Sequence, residues 1–536
     1  MIETWMHTCL ESPVWCKQPE TLPSYRPTRL IKLNGMRTFR LVSGTDCEPA
    51  VRYAALSYCW GGKPAESMLR LVQSNVSDLT QEQLVEGLPK TFRDAVAVAQ
   101  HFGVSYLWID RLCIIQDCGE DWRRESSTMQ DVYKNALFSI SALGAKDDDG
   151  GCFFQRDPSA VVPTVLRLRL EEDGDEKTFI ATAEQTFCGW LPLFEHEPLL
   201  ERSWVVQERL LAPRTLHFGT KQVFWECREK ASCETHPDSI YTRAQYNNAR
   251  DEDEAFPWKQ LLDIEPSPFE DISDPSRRIF FEWDRLVEFY AGRKLTVARD
   301  KLPALSGLAN ATRARLQKLK PGPHRYLAGL WEENLMKTLL WEPVGPRKRP
   351  STYRAPSWSW ACLDGQVRTG NIFRREAKDL PLLASMISGE TVLVDKDACD
   401  TGQVDGGVLT LRGPCAHVFI DIVDHWPFRT DKLTVDRDIR SIRRPHGRYQ
   451  IEQPKRITSS WANAVFDTLE DIRGQALLLW VETYSGPGKC ICRGLLLALG
   501  DNHKYRRLGL TDFVFKSRKE AEVFVGEFPQ MEIDIV

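Results

Sequence analysis

The chain has 536 residues, 42% of them apolar, with a formal net charge of -5. That length exceeds one hydrophobic core, so roughly two to four domains are expected. The charge excludes a general polyanion binder, so no nucleic-acid partner is expected, although a local basic patch is compatible with it.

The fifteen cysteines are an odd number, and the N-terminus lacks a basic stretch followed by an apolar run. No apolar run approaches the ~20 residues that span a bilayer. The expectation is a cytoplasmic protein of a reducing compartment whose cysteines are mostly buried thiols. In chain order, residues 1–50 read as a polar N-terminal extension with one strand at 37–42. Residues 53–58 form a short apolar strand that runs into Cys59-Trp60-Gly61-Gly62, where glycine lets the backbone turn sharply and approach a ligand. Residues 88–116 read as helix, turn and strand. Thr91 and Asp94 stand at capping-box spacing. Phe92, Ala95, Val96, Ala99 and Phe102 repeat at helical spacing, and Gly103 is the stop. Residues 104–109 are nearly all apolar, as a strand covered on both faces must be. Asp110 ends that strand where open α/β sheets bind ligands.

A helix at 121–135 follows, with Trp122, Met129, Val132, Tyr133 and Ala136 on one face, then a strand at 137–143. This alternation implies a parallel sheet with right-handed crossovers. It brings the loops at 57–63, 110–118 and 143–152 near one another. Further on come a hairpin (164–170 with 177–183), a helix at about 199–211 stopped by Pro213, and a second hairpin (215–218 with 222–227). Residues 234–275 read as a polar surface excursion. Helical patterns return at 277–293, 305–319 and 324–341, and 342–356 is a linker by composition. Strands at 407–412, 416–423, 476–483, 495–499 and 522–528 imply a mostly β C-terminal domain. The expected division is 1–50, 51–230 (α/β), 231–345 (helical) and 346–536 (mostly β).

The chain has neither common phosphate-binding glycine signature, no nucleophile elbow and no zinc-protease helix. Cys227, Cys233 and His236, and Cys490 with Cys492, match no strong zinc spacing, so no metal or cofactor is expected. Three clusters remain. Ser57-Tyr58-Cys59-Trp60-Gly61-Gly62 is either a ligand-contacting turn or a tight turn with a packing Trp. Asp110, with Cys113 and Gln116, is either a ligand group, a helix cap or a partner of Arg111 or Arg93. In the third, Trp204, Gln207, Glu208 and Leu211 share one helical face. A buried carboxylate is costly unless paired, so Glu208 either faces a pocket or pairs with Arg202 or Arg214.

These clusters, in this order, resemble the fungal heterokaryon incompatibility (HET) domain. Its first block resembles Ala55-Leu56-Ser57-Tyr58-Cys59-Trp60-Gly61. Its second resembles Leu107-Trp108-Ile109-Asp110-Arg111-Leu112-Cys113-Ile114-Ile115-Gln116-Asp117, extended by Asp121-Trp122 and by 129–136. Its third resembles Arg202-Ser203-Trp204-Val205-Val206-Gln207-Glu208-Arg209-Leu210-Leu211, with Ser203 where a glycine or other small residue is usual. Residues 295–309 and Arg354-Ala355-Pro356-Ser357-Trp358-Ser359-Trp360 are similar to the long stand-alone members. The resemblance implies nonself recognition and regulated cell death. It also implies a remotely TIR-like, flavodoxin-like parallel sheet over 51–230.

Some TIR domains cleave NAD with a helical Glu, and the Trp204-to-Glu208 spacing resembles their pattern. Val205 stands in place of its Cys, and Arg209 intervenes before Leu210. What this resemblance implies is Glu208 as the catalytic residue, with Ser57, Trp60, Gly61, Gly62, Asp110, Trp204 and Gln207 binding NAD as substrate. Two alternatives stay open: a non-enzymatic module that assembles with itself or with other proteins of the HET pathway, or a tailoring enzyme for a small metabolite.

Overall fold

The computed structural model describes residues 1–11, 16, 25–157, 164–169, 176–181, 194, 196–242, 259, 275–345, 347–369, 378–395, 399–422, 448–451, 462–468, 474–486 and 489–536. They divide into two units, residues 1–273 with 304–318, and residues 274–303 with 319–536.

The first unit is built on one sheet. Its N-terminal part supplies helix α1 (Ile2–Glu11) and strands β1 (Arg29–Asn34), β2 (Thr38–Ser43), β3 (Ala54–Ser57) and β4 (Gln83–Leu84). Helix α2 (Lys90–His101) leads to β5 (Tyr106–Trp108), and helix α3 (Gly119–Asn135) to β6 (Phe138–Ser141). The hairpin β7 (Thr164–Arg169) and β8 (Glu176–Ala181) stands apart as a two-stranded sheet, its acidic turn outside the described residues. Helix α4 (Ser203–Leu211) precedes β9 (Arg214–Phe218), β10 (Val223–Cys227), β11 (Lys230–Cys233) and β12 (His236–Thr242). Among the described residues the sheet order is β12-β11-β10-β9-β6-β3-β5-β1-β2-β4.

The central strands β5, β3, β6 and β9 run parallel, and the strands outside them pair antiparallel. Every residue of β3, β6 and β9 is buried, as strands covered on both faces must be. The chain steps from β3 to β5 on one side, then passes back to β6 on the other. Right-handed crossovers then place α2 on one face and α3 and α4 on the opposite one, and α3 packs against α4.

In this unit two details differ from what the sequence predicts. The segment expected as an extension contributes β1, whose charged residues disguise it. Arg29 pairs there with buried Asp121 of α3 at 2.6 Å. Thr91 and Asp94 do not form a capping box, because the loop after β6 takes their oxygens. Thr91 Oγ1 accepts from the Gly151 amide at 3.0 Å and Asp94 Oδ2 from the Cys152 amide at 2.8 Å. The expected surface excursion lies, beyond Thr242 and apart from Lys259, outside the described residues up to Pro275.

The second unit begins with α5 (Pro275–Ala291), and most of α6 (Pro303–Leu319) belongs to the first. The single helix expected at 324–341 is instead a hairpin of β13 (Tyr326–Leu327) and β14 (Leu330–Trp331) followed by one helical turn, Leu335–Thr338. Ala328 and Gly329 turn that hairpin at φ 43° and 102°, a left-handed pair that no helix accommodates. The expected linker is folded as well: β15 (Glu342–Pro343) pairs with β16 (Val367–Arg368), and Arg354, Trp358 and Trp360 are buried.

The C-terminal part is β-rich, as expected. It holds β17 (Lys378–Leu382), β18 (Ser385–Leu393), β19 (Val404–Ile422), β20 (Arg448–Ile451), β21 (Ala462–Phe466), β22 (Gly474–Gly486), β23 (Lys489–Leu499), β24 (Tyr505–Phe515) and β25 (Gln530–Ile535). The order β22-β23-β24-β21-β20-β19 returns to β22, so six strands close a barrel. Residues 522–528, expected as a strand, lie mostly in helix α7 (Arg518–Gly526), N-capped by Ser517. Ala521, Phe524 and Val525 recur at helical spacing and join Trp480, Phe513 and Phe515 in the barrel core.

Candidate functional site

The three sequence blocks meet at the carboxyl ends of the parallel strands. β3 ends in Ser57, whose Oγ donates to Oε2 of Glu208 on α4. The Tyr133 hydroxyl donates to the Leu56 carbonyl at 3.0 Å and also neighbours the Glu208 carboxyl. Glu208 is 4% exposed. Burial pushes its carboxyl up to about 7; Arg202 and the Ser57 hydrogen bond oppose that, and Asp110 adds to it. Among the described residues neither Arg202 nor Arg214 forms an ion pair with Glu208. Arg202 Nη1 donates to the Tyr58 carbonyl, and Arg214 to Cys9 Sγ and the carbonyls of Leu137 and Cys16.

Asp110 closes β5 and opens a single helical turn, Asp110–Cys113. Its carboxylate accepts from the Tyr58 hydroxyl at 2.9 Å, from Trp60 Nε1 at 2.8 Å and from the Arg111 amide at 2.6 Å. It therefore ties the first block to the second rather than capping α3 or pairing with Arg93. Arg93 donates instead to the carbonyls of Glu86 and Leu88. Gln116 Nε2 donates to the Asp110 carbonyl at 3.1 Å.

Gly61 turns at φ +84°, and a Cβ there would stand 2.6 Å from that of Asp147 in the loop after β6. Gly62 is exposed, with open space where a side chain would lie. Trp60 and Trp204 are half-buried. Gln207 is turned to another task. Its Oε1 accepts from the Gly307 amide of α6 at 2.9 Å, and its Nε2 is buried without a hydrogen-bond partner.

Arg111 was missed as a site residue. It is fully buried, pairs with Asp148 at 2.6 Å and lies 4.7 Å from the Phe92 ring centroid. Its Nε and Nη1 make no hydrogen bond. Lys63 reaches the other oxygen of Asp148 at 3.0 Å. The available signal was an Arg directly after Asp110 at a strand end. Burial pushes the thiols of Cys59 and Cys113 up, to about 11 and about 12. Neither is a thiolate nucleophile at neutral pH. The arrangement offers a buried carboxyl raised toward neutrality and a second carboxylate locked by two aromatic donors, one of them the half-buried indole of Trp60.

No curated protein and no solved structure matches the chain. Residues 53–208 match the family model described as Heterokaryon incompatibility protein (HET), a span that begins just before β3 and ends at Glu208 itself. This HET domain match takes in the first two blocks and the third as far as Glu208, so Ser57, Asp110 and Glu208 all lie inside it.

Proposed function

We propose that the chain acts in nonself recognition and regulated cell death, and that its HET domain cleaves NAD at the nicotinamide–ribose bond. The observation that carries this reading is Glu208, a buried carboxyl hydrogen-bonded by Ser57 beside Asp110 and Arg202. The parallel strands lie in the order β5-β3-β6-β9, which in chain order is second, first, third, fourth. That is the flavodoxin-like order, whose ligands bind where the strand order reverses, and it supports the TIR-like reading.

Loss of nicotinamide builds positive charge on the ribose ring, as in glycoside hydrolysis. Ionised Glu208 stabilises that charge at close range in a low-dielectric site. The pyridinium leaves as neutral nicotinamide, so no general acid is required, and water completes the hydrolysis at the ribose carbon. Trp60 and Trp204 stack on the bases, the amides of Gly61 and Gly62 face the pyrophosphate, and Asp110 fixes the Trp60 indole.

Nicotinamide release from NAD, followed with the purified chain both dilute and crowded into assemblies, tests the reading. Wild type releases nicotinamide and Glu208→Gln does not, with circular dichroism unchanged. NAD left intact by wild type under both conditions overturns it. Because ionised Glu208 is the active form, kcat/KM rises with pH through about 7, the value to which burial pushes this carboxyl. A profile that is flat or falls from pH 6 to 8 removes Glu208 from the chemistry.

A further inference from the structure

Outside the HET blocks, three cysteines far apart in sequence come together. Cys9 lies on α1, Cys16 follows it, and Cys227 ends β10. All three are buried, and their Sγ atoms lie within 4.8 Å of one another. In sequence Cys227 stands near Cys233 and His236. The fold directs Cys233 Sγ to Thr235 Oγ1 at 3.1 Å instead.

A second observation concerns Arg214, which is 2% exposed. Its Nε donates to Cys9 Sγ at 3.2 Å, Nη1 to the Leu137 carbonyl at 3.2 Å and Nη2 to the Cys16 carbonyl at 2.6 Å. Among the described residues no carboxylate pairs with it. An arginine is always charged, and a buried charge without a counter-charge is strongly unfavourable. Anionic sulfur is the counter-charge that this geometry offers. Three neutral thiols would leave the guanidinium unbalanced, and so would one disulfide with a spare thiol.

We infer that Cys9, Cys16 and Cys227 bind a zinc ion as three thiolates. Zn–S bonds of about 2.3 Å require sulfurs about 4 Å apart, and the fold already holds all three within 4.8 Å of one another. Binding releases three protons from the thiols to solvent and changes no oxidation state. A zinc ion with three thiolates carries one net negative charge, which balances the single guanidinium of Arg214. Monovalent copper would leave two negative charges against one, so charge favours zinc among the thiophilic ions. The fourth position of the tetrahedron is left to water or a small exogenous donor. The site ties α1 and Cys16 to the sheet through β10, on which α1 already packs.

The test uses the full chain, expressed with added zinc and purified under reducing conditions without chelators. Elemental analysis should find about one zinc per chain. The double variant Cys9→Ser/Cys227→Ser should lose it, whereas Cys233→Ser, a buried thiol outside the cluster, should keep it. Should the double variant fail to fold, cobalt replacement in wild type provides a separate readout. Thiolate-to-cobalt charge-transfer bands and tetrahedral d–d bands are expected. Folded wild-type chain that takes up neither zinc nor cobalt overturns the inference. So does undiminished zinc in a folded double variant, a disulfide among the three sulfurs in the intact mass, or copper in place of zinc.

Discussion

Glu208 concentrates the chemistry and the cost of this site in one residue. Its carboxyl is raised from 4.5 to about 7, chiefly by burial, so it holds its proton more tightly folded than unfolded. Folding stability therefore falls as pH rises through that window and levels off above it. Glu208→Gln removes the penalty. Chemical denaturation should show the variant more stable than wild type by up to about 3 kcal/mol at pH 8. Near pH 4.5 the difference should vanish; a gain independent of pH would contradict the assignment. Gly61 makes the opposite kind of residue-scale demand. It combines φ +84° with a 2.6 Å approach to Asp147 Cβ. Gly61→Ala should lower stability by about 1–3 kcal/mol, measured as a drop in the denaturation midpoint, and displace the loop that carries Trp60.

At the scale of the element, α4 is the pivot, because its residues from Val205 to Leu211 are all buried and neighbours surround it. Glu208 meets β3 through Ser57, Gln207 meets α6 through Gly307, and Arg209 meets β10 through Glu226. The Arg209–Glu226 pair is bidentate, at 2.8 and 3.0 Å, with His217 Nε2 3.2 Å from the same carboxylate. Arg209 and His217 hold the Glu226 carboxyl well below the usual range against its burial, and burial pushes His217 down to about 4. Lys259 donates to the carbonyl that ends α4, at Ala212, at 2.7 Å. Glu226→Ala leaves Arg209 and Lys259 as uncompensated buried cations. We expect a loss of about 3–5 kcal/mol and, with it, loss of any NAD cleavage through displacement of α4. A variant of wild-type stability would show that the network is dispensable.

Across the whole molecule, each unit holds a hydrophobic cluster of its own, and the second also has a buried ion pair. Arg507 of β24 donates to Asp467 at 3.2 Å and to the carbonyls of Leu339 and Trp341 at 2.5 Å, with its guanidinium 3.6 Å from the Trp341 ring centroid. It joins the barrel to the Trp-rich segment that precedes it. Arg507→Ala removes the guanidinium nearest Asp467, which is fully buried and keeps Arg349 at 3.6 Å, and should destabilise the second unit by about 1–3 kcal/mol. In calorimetry one transition should move down while the transition of the HET-containing unit stays in place. A single transition that shifts as a whole would mean that the units unfold together.

The parallel strands and the helices between them are written in short-range periodicity, and the three blocks in short contiguous motifs, so all were legible from the chain. Val104 to Ile109 and 53–58 are apolar runs only a doubly covered strand explains, and Phe92 to Phe102 repeat at helical spacing. The barrel was legible only as strands, since nothing local says that β19 returns to β22. Segment 522–528 went the wrong way because Phe524, Val525 and Phe528 suit either period until a core claims one face. Asp110 could be placed at a strand end from sequence, but its partners, Tyr58 and Trp60, lie about fifty residues away. Glu208 could be seen as a carboxylate on an apolar helix. Long-range packing is what brings Ser57 rather than an arginine to it, turns Gln207 to Gly307 and gathers the sulfurs of Cys9, Cys16 and Cys227. Burial, counter-charge and long-range pairing are properties of the folded chain, and no local pattern encodes them.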